Sequence, residues 1–272
     1  MIVKYVNSKG VEVNLNKHPY KMLVSDILDY EWEVITSANR ITGFGYTVKE
    51  KVLNIDVHRS RDAGARENMS RLTDIFETDI LSSAPGRLYI DEQYMIGYIK
   101  SSEKDNWETD QIIQGEYGLT TDNPFWITEK HFSFQKKTAK EKIFEHLDYP
   151  YDFPYDLTRE QVGLDKIEGS DLSDSHFKLT IYGPAVFPEI HIGGHIYRVN
   201  TVVAEGEYLT IDSREETVVR CMIDGTKINE FDNRDHDHSV FKKIPGGIME
   251  TEWNGSFGWD ITLFEERSEP RW

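Results

Sequence analysis

Cysteine is nearly absent from this sequence: among 272 residues there is one, Cys221. A lone thiol cannot close an intrachain disulfide, so the fold has to be held by its core. Cys221 sits in the alternating run Val218-Val219-Arg220-Cys221-Met222-Ile223 and reads as a small core hydrophobe, not a nucleophile. No apolar run reaches the length of about 18 residues that a membrane-spanning helix needs, so no membrane partner is expected. The opening Met1-Ile2-Val3-Lys4-Tyr5 has neither an apolar h-region nor a small-residue cleavage site. The expectation is a chain without a signal peptide that folds in a cytoplasm.

Catalytic signatures are missing as well. There is no Gly-x-Ser-x-Gly elbow and no Gly-Lys-Ser/Thr phosphate loop, and Gly43-Phe44-Gly45 lacks the third glycine of a dinucleotide loop. Paired carboxylates are plentiful, as they must be at a net charge of −17, so they single out no glycosidase site. The run Asp232-Asn233-Arg234-Asp235-His236-Asp237-His238 offers metal-ligand types. It has no turn glycine and no distal bidentate glutamate, and Arg234 opposes a dication, so it reads as a solvated loop. His191 and His195 are four apart, a spacing with ligating meaning only on a helix. Across a Gly193-Gly194 hairpin, Ile192 faces His195 and His191 faces Ile196, which sends the imidazoles to opposite faces. The reading is a non-enzyme with no cofactor and no catalytic, cofactor-binding or metal-ligating residues.

Charge is unevenly spread. Residues 1–140 hold 18 basic and 21 acidic side chains, whereas residues 141–272 hold 13 and 27. The acidic second half repels phosphate backbones and argues against a nucleic-acid partner, while the nearly neutral first half suits self-association.

What the chain does have is alternation. Lys178-Leu179-Thr180-Ile181-Tyr182, Glu189-Ile190-His191-Ile192, His195-Ile196-Tyr197-Arg198-Val199 and Tyr208-Leu209-Thr210-Ile211-Asp212 repeat with period two, and further strands are expected at 217–223, around Val240-Phe241 and at 257–264. Gly193-Gly194 supplies the positive φ of a two-residue turn. Strands at this spacing predict a β-sandwich. The N-terminal part opens with a hairpin, 2–6 and 11–15, then an alternating run at 46–57. Over 65–81 the period changes: Met69, Leu72, Ile75, Phe76 and Ile80 recur at helical steps, and Pro85-Gly86 ends the helix. A second hairpin, 87–90 and 94–99, and strands near 109–117 and 125–134 follow. The fold class is mainly β: a β domain with one packed helix over 1–140, a connector over 141–175, and a β-sandwich over 176–272.

The connector contains Tyr149-Pro150-Tyr151-Asp152-Phe153-Pro154-Tyr155-Asp156, whose prolines forbid a regular helix or central strand and predict a stiff, extended strap. Ser170 to Ser175 read as a second, polar break. Six tryptophans and fourteen tyrosines suggest a protein rich in interfaces. Trp259 alternates with apolar neighbours and reads as core, whereas Trp32, Trp107 and Trp253 lie among charges in loop-like contexts.

Segments at both ends resemble one family. Pro85-Gly86-Arg87-Leu88-Tyr89-Ile90, residues 94–98 and Asn123-Pro124-Phe125-Trp126, then Gly206-Glu207-Tyr208-Leu209-Thr210-Ile211-Asp212, Phe241-Lys242-Lys243-Ile244-Pro245-Gly246-Gly247 and the ending Glu266-Arg267-Ser268-Glu269-Pro270-Arg271-Trp272 are similar to the distal tail proteins of long, flexible-tailed bacteriophages. The resemblance spans nearly the whole chain and lies in the order of these segments. It implies a virion component at the distal end of the tail: N-terminal domains closed into a homohexameric ring, with a galectin-like C-terminal sandwich. The ring would join the tail tube protein to the tail-associated lysin or fibre, and in that family it often supports receptor-binding proteins. The alternative is a carbohydrate-binding module that reads the host surface. Against it, no His-x-Asn-x-Arg occurs, and His195-Ile196-Tyr197-Arg198-Val199-Asn200 has the wrong order.

Overall fold

The structure, a computed structural model, describes residues 1–137, 165–170 and 173–271. The described chain is mainly β, with antiparallel sheets and one α-helix. It divides into two compact units, Met1–Thr128 with Glu266–Trp272, and Glu129–Glu265. The chain therefore passes from one unit to the other inside a strand on each occasion, whereas the sequence reading cut it at 140 and 176. The aromatic strap of residues 149–156 lies outside the described residues.

The first unit holds β1 (Val3–Val6), β2 (Glu12–Asn14), β3 (Tyr20–Met22), β4 (Glu33–Ser37), β5 (Arg40–Gly45), β6 (Lys49–His58), α1 (Ala65–Ser82), β7 (Gly86–Ile90), β8 (Gln93–Asp105), β9 (Ile112–Thr121) and the start of β10 (Trp126–Phe134). One sheet runs β10-β8-β7-β1-β2 and another β3-β6-β9-β8, so the 13-residue β8 serves both. Its first half pairs with β7 and its second with β9, with a register shift between Ile99 and Ser101. An irregularity of that kind bends a strand and lets it leave one sheet for the next. Alternation sets the inner faces: Leu53, Ile55 and Val57 of β6 are buried with Val3 and Tyr5 of β1 and Leu88 of β7.

Helix α1 closes this core with Met69, Leu72 and Phe76, at the spacing the sequence predicts. Its N-terminal amides are met from the β8–β9 loop, where the Asp110 carboxylate accepts the Arg66 N–H at 2.9 Å. Ser83 ends the helix in the left-handed region, φ 52°. Ile80 departs from expectation: it is half exposed, while its neighbour Asp79 takes the inward position of that turn.

Near that end Asp79 is fully buried. Its carboxylate accepts the Tyr5 hydroxyl and the Ser8 N–H, each at 2.6 Å. Burial, then the hydrogen bond to Asp79 and its charge, push the Tyr5 hydroxyl far above its ordinary value, so it remains a donor. Gly86 passes directly over this pair: a Cβ there would lie 2.2 Å from Tyr5 Oη and 2.4 Å from Asp79 Oδ2.

The second unit holds the rest of β10 with β11 (Asp165–Glu168), β12 (His176–Tyr182), β13 (Ala185–Val186), β14 (Glu189–Ile192), β15 (His195–Arg198), β16 (Val202–Val203), β17 (Tyr208–Asp212), β18 (Thr217–Cys221), β19 (Lys227–Asn229), β20 (Ile248–Trp253) and all but the end of β21 (Trp259–Arg267). One layer is ordered β19-β18-β17-β12-β21, the other β11-β20-β14-β15. Between them lie Phe177, Leu179, Ile181, Ile190, Tyr197, Ile211, Val218 and Trp259 in a single core, which makes this unit a sandwich. Gly193 and Gly194, φ 56° and 78°, turn the β14–β15 hairpin, and Ile192 pairs with His195 as the two-residue turn requires.

Several expectations change here. Trp253 is core, edge-on to Trp259 at 5.7 Å, with its indole N–H donated to the Phe257 carbonyl at 3.1 Å. Val240-Phe241 is a turn, not a strand, although Val240 is fully buried. Ser170 and Ser175 are buried, and β11, which falls in the span read as connector, places Ile167 in the core.

Two substitutions test the Asp79 anchor. Gly86→Ala overpacks a buried polar contact and is expected to destabilise by about 1–3 kcal/mol. Tyr5→Phe removes one donor from a buried carboxylate, at a similar cost of about 1–3 kcal/mol. Urea unfolding checks both, and a wild-type midpoint in Tyr5→Phe would show that the pair contributes nothing.

Candidate assembly surfaces

Strands β4 and β5 form a two-stranded ribbon that, among the described residues, pairs with no other strand. Ala38 and Asn39 turn it with φ of 48° and 60°, the left-handed pair of a type I′ hairpin. Val34 pairs with Phe44 and Thr36 with Ile41, and the register shift between Ile35 and Thr36 keeps Phe44 and Ile41 on one face. On the other face Ile35 lies over Gly43 and Gly45; a Cβ at 45 would stand 3.4 Å from its Cδ1. The two glycines thus belong to a strand that packs a side chain, not to a nucleotide loop.

At the ribbon's base the rings of Trp32 and Tyr46 both meet Phe125, at 5.3 and 4.7 Å between centroids. Thr47 donates to the Glu33 carboxylate at 2.6 Å. Such aromatic contacts orient the ribbon as it leaves the unit. Trp32, read from sequence as an interface residue, is part of this base; Trp107 is exposed.

A second feature lies on the same unit. Between the last turns of α1 and the bend of β8 is a cleft of about 350 Å³, lined by Phe76, Ile80, Leu81, Ile99 and Tyr117 among others. Leu81 is 83% exposed and Ile80 45%.

The chain's end is held within the first unit. The Gln93 amide donates to the Arg271 carbonyl at 3.1 Å and accepts the Arg271 N–H at 2.9 Å, while Asn123 donates to Glu266 at 2.8 Å. No sequence signal named Gln93, whose double contact is the signature of a strand mimic.

Titratable groups of the second unit are engaged with one another. Arg220 bridges Glu207 at 3.0 Å and Glu230 at 2.7 Å. The Ala204 N–H, then Arg220, hold the Glu207 carboxyl below its ordinary range. Burial opposes ionisation of Glu230, but Asn233, Arg220 and Thr201 outweigh it and the net direction is down. Asp235 is lowered chiefly by the Asp237 N–H, with His238 and Arg198 adding to it against burial. So the acidic run at 232–238 is internally bonded, with Arg198 at 3.3 Å from Asp235. His191 binds Glu189 at 2.7 Å, and His195 meets the Ser239 carbonyl at 2.9 Å, so they have different partners. Among the described residues no cluster of three or more histidine, cysteine or acidic side chains is arranged to hold a metal ion.

No protein-family model matches the chain, and no curated protein matches it in sequence. Solved structures do match in shape. The crystal structure of the distal tail protein SPP1 Dit (gp 19.1), described as a paradigm of the hub adsorption apparatus in phages that infect Gram-positive hosts, is 9% identical, with 98% of this chain and 100% of that chain covered and a TM-score of 0.59. A chain of the phage P2 baseplate in its activated conformation with calcium is 13% identical, covering 99% and 100%, TM-score 0.63. The corresponding strontium structure gives 12%, 99% of each chain and 0.65. The fold is therefore that of phage tail hub and baseplate proteins. More particularly, this chain shares the distal tail protein fold of SPP1 Dit from end to end.

The Arg220 bridge makes a signed prediction. Glu207, Glu230 and Asp235 have folded pKa values below their unfolded ones, near 4, so their contribution is complete above about pH 5 and is lost as pH falls through the folded values. Arg220→Met should lower the melting temperature by several degrees at pH 7, and the gap to wild type should narrow towards about pH 3 as the stranded carboxylates protonate. A gap that stays constant across that range would contradict the assignment.

Proposed function

We propose that this chain is a non-enzymatic structural subunit of a phage tail tip. It acts as a hub: the first unit repeats around a homohexameric ring at the distal end of the tail, and the second, a galectin-like sandwich, carries attachments. Its partners are further copies of itself, the tail tube protein, the tail-associated lysin or fibre, and receptor-binding proteins. Neither nucleic acid nor membrane belongs to this reading, and the chain works in the virion after assembly in the host cytoplasm.

One observation carries the proposal. The likeness to hub and baseplate chains runs over 98–99% of this chain and 99–100% of theirs, so both units and their order are common. A likeness confined to one sandwich would speak only for a widespread architecture. The first unit also presents exposed apolar side chains on the β4–β5 ribbon and at the end of α1, and a cyclic assembly needs two different surfaces on each copy.

Mass photometry and negative-stain imaging at rising concentration, with and without the tail tube protein, test the ring. Six-fold particles are expected in at least one arm. Monomers throughout would overturn the hub reading.

A further inference from the structure

At the foot of the β4–β5 ribbon the first unit has a cavity of about 200 Å³, walled by Tyr30, Trp32, Tyr46 and Phe125 and edged by Asp29 and Glu50 among others. That is smaller than an ordinary small-molecule or cofactor site, about 300–1,000 Å³, and suits a single side chain. Phe125 is buried, whereas Tyr30, Trp32 and Tyr46 are exposed. Trp32 stands at 78° to Tyr46 and 45° to Phe125, and Tyr46 at 86° to Phe125. No two of these three rings are stacked face to face, so they leave ring faces uncovered by one another, and the face of an aromatic ring attracts a cation.

Charge selects the same kind of ligand. The acids that line the cavity or act on Tyr46 are Asp29, Glu31, Glu50, Asp122 and Glu266, against Lys49, Lys51 and, on Glu50, Lys100. The lysines are engaged: Lys49 with Glu31 at 3.6 Å, Lys100 with Glu50 at 2.7 Å, and Lys51 with the Asp26 and Asp29 carbonyls. The exposed Asp29 carboxylate has no hydrogen-bond or ion-pair partner among the described residues. Burial, then the charges of Glu266 and Asp122, raise the Tyr46 hydroxyl above its ordinary value, which places that ring in a negative potential. A neutral sugar would gain the ring contacts and nothing from this field. A quaternary ammonium would gain both and leave Asp29 without a hydrogen bond. A guanidinium lies flat on a ring and also donates paired N–H groups to a carboxylate.

We propose that this cavity receives the side chain of an arginine from another protein, its guanidinium against Trp32 and Tyr46 and its N–H groups on the Asp29 carboxylate. This goes beyond the hub reading and does not depend on the ring, since a single copy carries every group named.

The test titrates the full chain with N-acetyl-arginine methylamide at constant ionic strength and follows the tryptophan indole signals in proton–nitrogen correlation spectra. The spectrum of Trp32→Phe identifies the Trp32 signal by its absence. In wild type that signal should move saturably with the arginine probe. It should move little with the citrulline analogue, which has the same shape without the charge, and tetramethylammonium should bind more weakly than arginine. In Asp29→Asn, an exposed change of equal size whose fold a melting curve checks, the arginine probe should bind about threefold more weakly or worse. A Trp32 signal that does not saturate, or citrulline binding as well as arginine, would overturn the site in wild type without recourse to any variant's stability. Tetramethylammonium binding as tightly as arginine, or full affinity in Asp29→Asn, would overturn the guanidinium. None of these results bears on the hub reading, which the ring experiment decides.

Discussion

A fully buried carboxylate at the end of the helix sets the geometry of the first unit. An unpaired charge in that position would cost several kcal/mol, and Asp79 avoids this by accepting the Tyr5 hydroxyl and the Ser8 amide. Those donors belong to β1 and to the turn after it, so the last turn of α1 is tied to the edge of the sheet face it covers, where Tyr5 also packs edge-on to Phe76. Sliding the helix by one residue would rotate it by about 100° and strand the charge. Hence Ile80 and Leu81 are held at the lip of the cleft by a bond their own side chains take no part in. The same pair explains why β7 opens on a glycine, since any Cβ at 86 would strike both of its oxygens.

Where one face of an element is buried and the other wet, its period shows in the sequence. The β1–β2 hairpin, the Met69–Leu72–Phe76 stripe, the Gly193-Gly194 turn and the strands of the second sandwich all declare themselves in this way. The missed elements lack that contrast. Both faces of β4–β5 are largely exposed, so no alternation marks it. In β20 the inward positions are Met249, Thr251 and Trp253, with a threonine at the centre and glutamates between, and the pattern is diluted. Val240 misled in the opposite sense: it is a buried plug on a turn. Trp253 misled because its charged neighbours alternate with it, facing out while it faces in. A ribbon with both faces exposed is thus the hardest part to read from one sequence.

The two units handle charge differently. In the second, acid is absorbed locally: Arg220 lies between two carboxylates, and Arg198 between Glu189 and Asp235. These bridges join β18 to the segments that hold Glu207 and Glu230, and β15 to its neighbour β14 and to the loop that holds Asp235. The first unit pairs charges as well, Lys4 with Glu12, Lys49 with Glu31, Arg71 with Glu67 and Lys100 with Glu50, but it does so at exposed carboxylates, whereas Glu207, Glu230 and Asp235 of the second are buried.

Charge pairs of either kind leave the fold itself to the cores, which bears on how so little sequence identity can carry it. Sandwich cores need apolar residues of the right period and volume, and many sequences meet that demand. Between chains as distant as this one and SPP1 Dit, at 9% identity, the layout of strands and helix is therefore what persists.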